Sequence, residues 1–284
     1  MWFSFFIFIV SIAYILLYAT KGADMHLYHG VVTKYLTFNL ENPNKAGLFL
    51  LFIAISNTIQ FYQRKKIVLK SIFLLFAVCF FYFIYETHSR NALIVILGFM
   101  VAFILVFRRK RTVRISKATN FFITIFPFVF TILYLFLIKS ASVTRFFSFL
   151  IEDGKDLNSR VHVWENAYNV LKDHFVFGGY TQLCGDSSIF QLHNSHLDIL
   201  GAFGIVPFVL FIKYLHSILN TLSSRQRIGG YKLVYYYAFI ATIILGVFEA
   251  AVYNGGNGIG ILTAVFILFS TSEDDGRSAP YTTK

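Results

Sequence analysis

Apolar residues run along this chain in blocks of about 17–20, broken by short polar stretches, which is the length a helix needs to cross a bilayer. Eight such blocks are read at 2–18, 46–62, 67–85, 91–107, 121–138, 197–215, 232–250 and 258–270, the last being short for a span. They predict an all-α fold, a polytopic transmembrane helical bundle in which each helix satisfies its own backbone within lipid. One polar interval, 139–196, is far longer than the others. The expected organisation is five N-terminal spans over 1–138, a large loop over 139–196, three more spans over 197–270 and a tail over 271–284.

A different period appears inside the long loop. From Arg160 to Phe175 the apolar positions Val161, Trp164, Tyr168, Leu171 and Phe175 recur at steps of three and four, one stripe of a helix. Asn158 or Ser159 can cap its start and Gly178-Gly179 can end it. An amphipathic helix of this kind is expected to lie along the membrane surface, its stripe against lipid or the bundle.

Composition agrees with that pattern. Hydrophobic residues make up 57% and charged residues 14%, where a soluble domain carries about a quarter charged. The net charge of +11 raises nucleic acid as a partner, and its placement argues against it. Basic residues gather between spans 2 and 3 (Arg64, Lys65, Lys66), between 4 and 5 (Arg108, Arg109, Lys110, Arg111, Arg114, Lys117) and between 6 and 7 (Arg225, Arg227). Those are alternate loops, so the positive-inside rule puts them in the cytoplasm and, by parity, both termini with them. The expected outer segments are 19–45, 86–90, 139–196 and 251–257. Seven of the eight histidines, all but His216, then fall on the outer side. Cys79 lies within span 3 and Cys184 in the outer loop, so no disulfide framework or zinc pattern is expected.

Three groups on that outer side carry candidate chemistry. Arg160 stands in the first turn of the amphipathic helix, where a cation opposes the helix dipole. It is either a surface arginine paired with Glu152, Asp153 or Asp156, or an anion contact for a ligand. Arg90 opens span 4 after Glu86 and His88, and reads as an interfacial ion pair with Glu86 or as a phosphate fork. His193 and His196, one turn apart at the top of span 6, are open to three readings. They are interfacial polar residues, metal ligands without a third partner at a diagnostic spacing, or a general base suited to the aqueous boundary. Asp198, just inside the same span, is placed to orient a histidine or pair with an arginine.

Taken together, Ser89-Arg90, then Ser159-Arg160 with Trp164 and Phe177-Gly178-Gly179, then His193-Asn194-Ser195 with Leu197, Leu200 and Gly204, resemble the O-antigen ligase and Wzy-type polysaccharide polymerase family. The resemblance runs over about 85–215 and is strongest over 159–205. One departure is Gly178-Gly179, where the family often has a proline before a Gly-x-Gly turn.

The resemblance implies a GT-C-like fold in the bacterial inner membrane, with the active site outside the cytoplasm. It implies an undecaprenyl-diphosphate-linked glycan donor, a glycan or lipid acceptor, and no metal or other cofactor. By motif, His193 becomes the catalytic base, and Arg160 and Arg90 hold the donor diphosphate. Trp164, Asn194 and His196 complete the expected substrate-binding set. The lipid bilayer is a partner in any case, and other polysaccharide-assembly membrane proteins are possible ones. Two alternatives stand beside this reading: a transporter or flippase for lipid-linked glycans, and an accessory subunit of a larger synthase. Transport predicts ionisable groups near mid-span, and the predicted spans are almost uncharged there.

Overall fold

The computed structural model describes residues 2–22, 24–28, 31–38, 43–109, 114–137, 157–179, 192–223 and 231–247, with backbone alone for some of them. These residues are overwhelmingly helical. The helices are α1 (Trp2–Lys21), α2 (Pro43–Gln63), α3 (Ile67–Glu86), α4 (Arg90–Arg109), α5 (Lys117–Leu137), α6 (Leu157–His174), α7 (Ser195–Phe203), α8 (Ile205–Ser223) and α9 (Tyr231–Leu245). They fall into two compact units. The first holds α1 to α4 and most of α9, and the second holds α5 to α7, most of α8 and the end of α9.

Among the described residues, five helices are long and apolar enough to cross a membrane: α1, α2, α3, α5 and α8. The apolar stretches of α4 and α9 are shorter, at Arg90–Leu105 and Leu233–Leu245. The expected span at 258–270 lies outside the described residues. The chain is a multi-pass membrane protein.

Two features depart from the expected pattern. Between α1 and α2, in a stretch expected only as an outer loop, Asp24–Tyr28 (β1) and Val31–Tyr35 (β2) pair antiparallel, Asp24 opposite Tyr35 and Tyr28 opposite Val31. The run Val31-Val32-Thr33 supplies the β-branched residues that favour a strand. The second departure bears on the site. Residues 197–215, expected as one span, are cut at Gly204, whose φ is +82°. A side chain at 204 would place its Cβ 2.1 Å from the Val176 carbonyl oxygen, so only glycine fits. α7 is therefore a nine-residue helix, about 14 Å long and too short to cross, and the crossing candidate is α8.

Within the first unit, α2 is both the least hydropathic of the five candidate spans and the most enclosed. A helix face turned to lipid must be apolar, so the helix that carries Ser56, Asn57, Thr58 and Gln60 is the one most surrounded by protein. Asn57 Nδ2 donates to Ser11 Oγ of α1 at 2.9 Å, and Arg64 bonds to Ser4 and to Gln60 Oε1. Gly47 lets α4 approach: a Cβ there would stand 2.5 Å from Ser89 Cβ. That contact accounts for the buried serine of the Ser89-Arg90 pair, while Arg90 itself is exposed at the first residue of α4.

Candidate functional site

The second unit is organised by one face of α5. Asn120, Thr124, Pro127, Thr131 and Tyr134 recur at steps of four and three, so they share a stripe, and all five are buried. Pro127 has no N–H to give the helix ladder, and its ring pushes against the carbonyl one turn back. The carbonyls on this part of α5 are then used by α7. His196 Nε2 donates to Thr124 O at 2.7 Å, and Asn194 Nδ2 reaches Pro127 O at 3.3 Å and Thr131 Oγ1 at 2.8 Å.

Asn194 is also the N-cap of α7. Its backbone is extended, and its Oδ1 accepts from the N–H groups of His196 and Leu197, both at 2.9 Å. This satisfies two donors that a helix start would leave open. The same side chain donates to Val247 O at 3.0 Å, and Ser195 N–H donates to Gly246 O at 2.9 Å. The turn after α9 is thereby tied to the start of α7. Asn194, Ser195 and His196 are completely enclosed. His196 also meets the rings of Phe211 at 5.4 Å and Phe208 at 6.2 Å, edge on. An imidazole shut away from water stays neutral, since burial penalises its cation. Its Nε2 proton is then the one given to Thr124.

His193 differs from these three. It is partly exposed, and its φ of +51° puts a non-glycine residue in the left-handed region. The neighbours hold it there. Leu192 O accepts from Trp164 Nε1 at 2.7 Å, and Leu192 N–H donates to Asp198 Oδ1 at 2.6 Å. On the other side stands the fixed cap Asn194. A residue pinned on both flanks can keep a conformation that costs about 1–3 kcal/mol, and such positions cluster at functional sites.

Trp164 is 1% exposed, stacked edge-on against Tyr134 at 6.0 Å. With Ala167 and Leu171 it packs toward α5, α7 and α8, while Tyr168 and Phe175 of the expected stripe stay exposed. Its indole is enclosed and spent on Leu192, so in this structure it has no free face for a sugar. Asn194 and His196 are likewise occupied within the unit. Of the expected site residues, Trp164, His193, Asn194 and His196 are brought together. Arg160 lies in the first turn of α6, one turn before Trp164, and its side chain lies outside what the structure describes. Arg90 belongs to the other unit.

The start of α7 meets α5 partway along its length. His193 was expected at the mouth of a span. Pro127 and Thr131 stand ten and fourteen residues beyond Lys117, the first residue of α5, or about 15 and 21 Å along its axis. The start of α7 therefore packs midway along a candidate span.

The buried His-Asn-Ser-His corner and its indole brace fall inside one stretch of recognisable sequence. Residues 74–212 match the O-antigen ligase family, Wzy_C. No curated protein and no solved structure matches the chain. The matched stretch takes in α4 to α7, part of α3 and part of α8, and it includes every residue of the expected site. The match supports a ligase- or polymerase-type function in polysaccharide biosynthesis at a membrane. Sequence reading passed over Thr124, Pro127, Thr131, Gly246 and Val247. The first three were signalled by polar residues and a proline at helical spacing inside an apolar block; nothing marked the last two. Among the described residues, no three His, Cys, Asp or Glu side chains gather as a metal site would require.

Proposed function

We propose that the chain transfers glycan from an undecaprenyl-diphosphate carrier to an acceptor hydroxyl, on the extracytoplasmic face of the bacterial inner membrane. The observation that carries the reading is the contrast within His193–His196: three residues are locked inside, and only His193 reaches solvent. In the proposed step, the acceptor oxygen attacks the anomeric carbon and its proton passes to the His193 imidazole. The bond from that carbon to the diphosphate oxygen breaks, and the diphosphate leaves with the electron pair. A positioned imidazole is worth about 10²–10⁴-fold in such a step.

The leaving diphosphate gains negative charge, and Arg160 and Arg90 are the guanidinium groups proposed to receive it. Charge already aimed at a developing anion is commonly the largest catalytic contribution. Trp164, Asn194 and His196 take a positioning role in this reading, in place of substrate contact: they hold Leu192 and the α7 cap, and through them His193. The polymerase and ligase forms share this donor chemistry and differ in acceptor.

The test is glycan analysis of cells carrying His193→Ala, with protein abundance in the membrane measured alongside. Loss of the polymer ladder or of the ligated product at normal abundance is the expected result. Full product from that variant would remove the histidine from the reaction.

A further inference from the structure

The turn after α6 lies within the long interval read as an outer loop, at the end of a helix expected to lie along the membrane surface, and it carries Phe175, Val176 and Phe177 outward, the last 87% exposed. Exposure alone would not say what covers them. Two further observations do.

The first is continuity. The turn is joined to the break between α7 and α8: Ile205 N–H donates to Phe175 O at 3.0 Å, and Gly179 N–H to Ala202 O at 3.3 Å. Gly178 and Gly204 cross so closely that a Cβ on Gly178 would lie 2.5 Å from Gly204 N. Beyond the junction the exposed apolar surface continues through Phe203, Val206, Val209 and Leu210 into α8, a candidate membrane span.

The second is the backbone. Non-helical chain survives in hydrocarbon only where its polar groups are met within the protein. Here Phe175 O, Gly178 N–H and Gly179 N–H are all bonded, to Ile205, His174 O and Ala202 O respectively. On the helix side the exposed residues change abruptly from Lys172, Asp173 and His174 to Phe175, a charged-to-apolar step of the kind found at a membrane interface.

We propose that Phe175–Phe177 is a wedge inserted in the bilayer hydrocarbon, lying alongside the first turns of α8, with Lys172, Asp173 and His174 marking the headgroup level. Its partner is the lipid acyl layer. The wedge anchors the C-terminal end of α6, whose middle carries Trp164 and the brace on Leu192.

The experiment uses the full chain without its two cysteines (Cys79→Ala, Cys184→Ala), in vesicles of phosphatidylethanolamine and phosphatidylglycerol. Nitroxide labels are placed singly through Phe177→Cys, Val176→Cys, Asp173→Cys and Leu210→Cys. Collision with dissolved oxygen, which favours hydrocarbon, is compared with collision with a water-soluble nickel chelate. Labels at 176 and 177 are expected to match the one at 210, oxygen-rich and shielded from nickel, while 173 meets nickel. Nickel access at 176 and 177 equal to that at 173 overturns the proposal. Shielding from both reagents also overturns it, since a protein surface would then cover the turn. The measurement reads position alone and is independent of whether the chain transfers glycan.

Discussion

Trp164 donates its indole N–H to the carbonyl oxygen of Leu192 at 2.7 Å, joining α6 to the residue just before His193. Both partners are buried, so this bond has no water to replace it. Trp164→Phe keeps a ring against Tyr134 and orphans the carbonyl. The expected cost is about 1–3 kcal/mol, read as a lower unfolding midpoint of the purified protein in detergent. Glycan product should fall with it, because the left-handed turn at 193 loses one of its two flanking supports.

His193→Asn separates geometry from chemistry. Asparagine adopts positive φ more readily than histidine, so the backbone at +51° is relieved. The variant is expected to unfold no earlier than the parent, while product formation drops by about 10²–10⁴-fold. Retained activity would rule out the imidazole as a base, and a collapse in stability would rule out the strain.

Arg160→Lys keeps the charge and discards the fork. If Arg160 grips a diphosphate through two parallel bonds, lysine cannot replace it, and product in cells should be severely reduced at normal abundance. Equal activity of the two residues would leave only a surface charge at that place.

Gly204→Ala and Gly98→Ala are expected to part company. At 204 a methyl would strike the Val176 carbonyl carbon at 2.6 Å and must also adopt a φ of +82°, so folded protein should be largely lost. At 98, within α4, nothing lies within 4 Å, and the change should be neutral or stabilise by about 0.5–1 kcal/mol. Membrane abundance and thermal unfolding of the two variants check both statements.

Gly246→Ala tests the tie between α9 and the cap of α7. The added Cβ would lie 2.9 Å from Ser195 Oγ and 3.0 Å from Ile243 O. A loss of stability is expected, and Ser195→Gly in the same chain should recover part of it. The non-additivity is expected at about 0.5–3 kcal/mol, read from a double-mutant cycle.

The helical class, the candidate spans α1, α2, α3 and α5 and the existence of α6 were legible in the sequence because each is a periodic pattern that a bilayer or a neighbour enforces locally. The direction of the stripe was not, since Trp164 and Leu171 look the same whether they meet lipid or α5. Continuous hydropathy across 197–215 hid the break at Gly204, because Ala202, Phe203, Ile205 and Val206 are apolar on both sides of it. What forces the break is a carbonyl of Val176, twenty-eight residues earlier, which no local window contains. The site residues were marked by motif. Their division into one exposed histidine and three enclosed neighbours follows from Thr124, Pro127 and Thr131, and from Gly246 and Val247, which lie far away in the chain.

The enclosed polar stripe of α2 sets conditions on biogenesis. A newly made segment bearing Ser56, Asn57 and Gln60 is a reluctant passenger in hydrocarbon by itself. Ser11, the hydroxyl that Asn57 meets, belongs to α1 and is synthesised earlier, so a ready acceptor already waits in the membrane. Swapping α1 for an unrelated apolar anchor should therefore leave α2 prone to slip back out and be degraded, long before any question of catalysis arises.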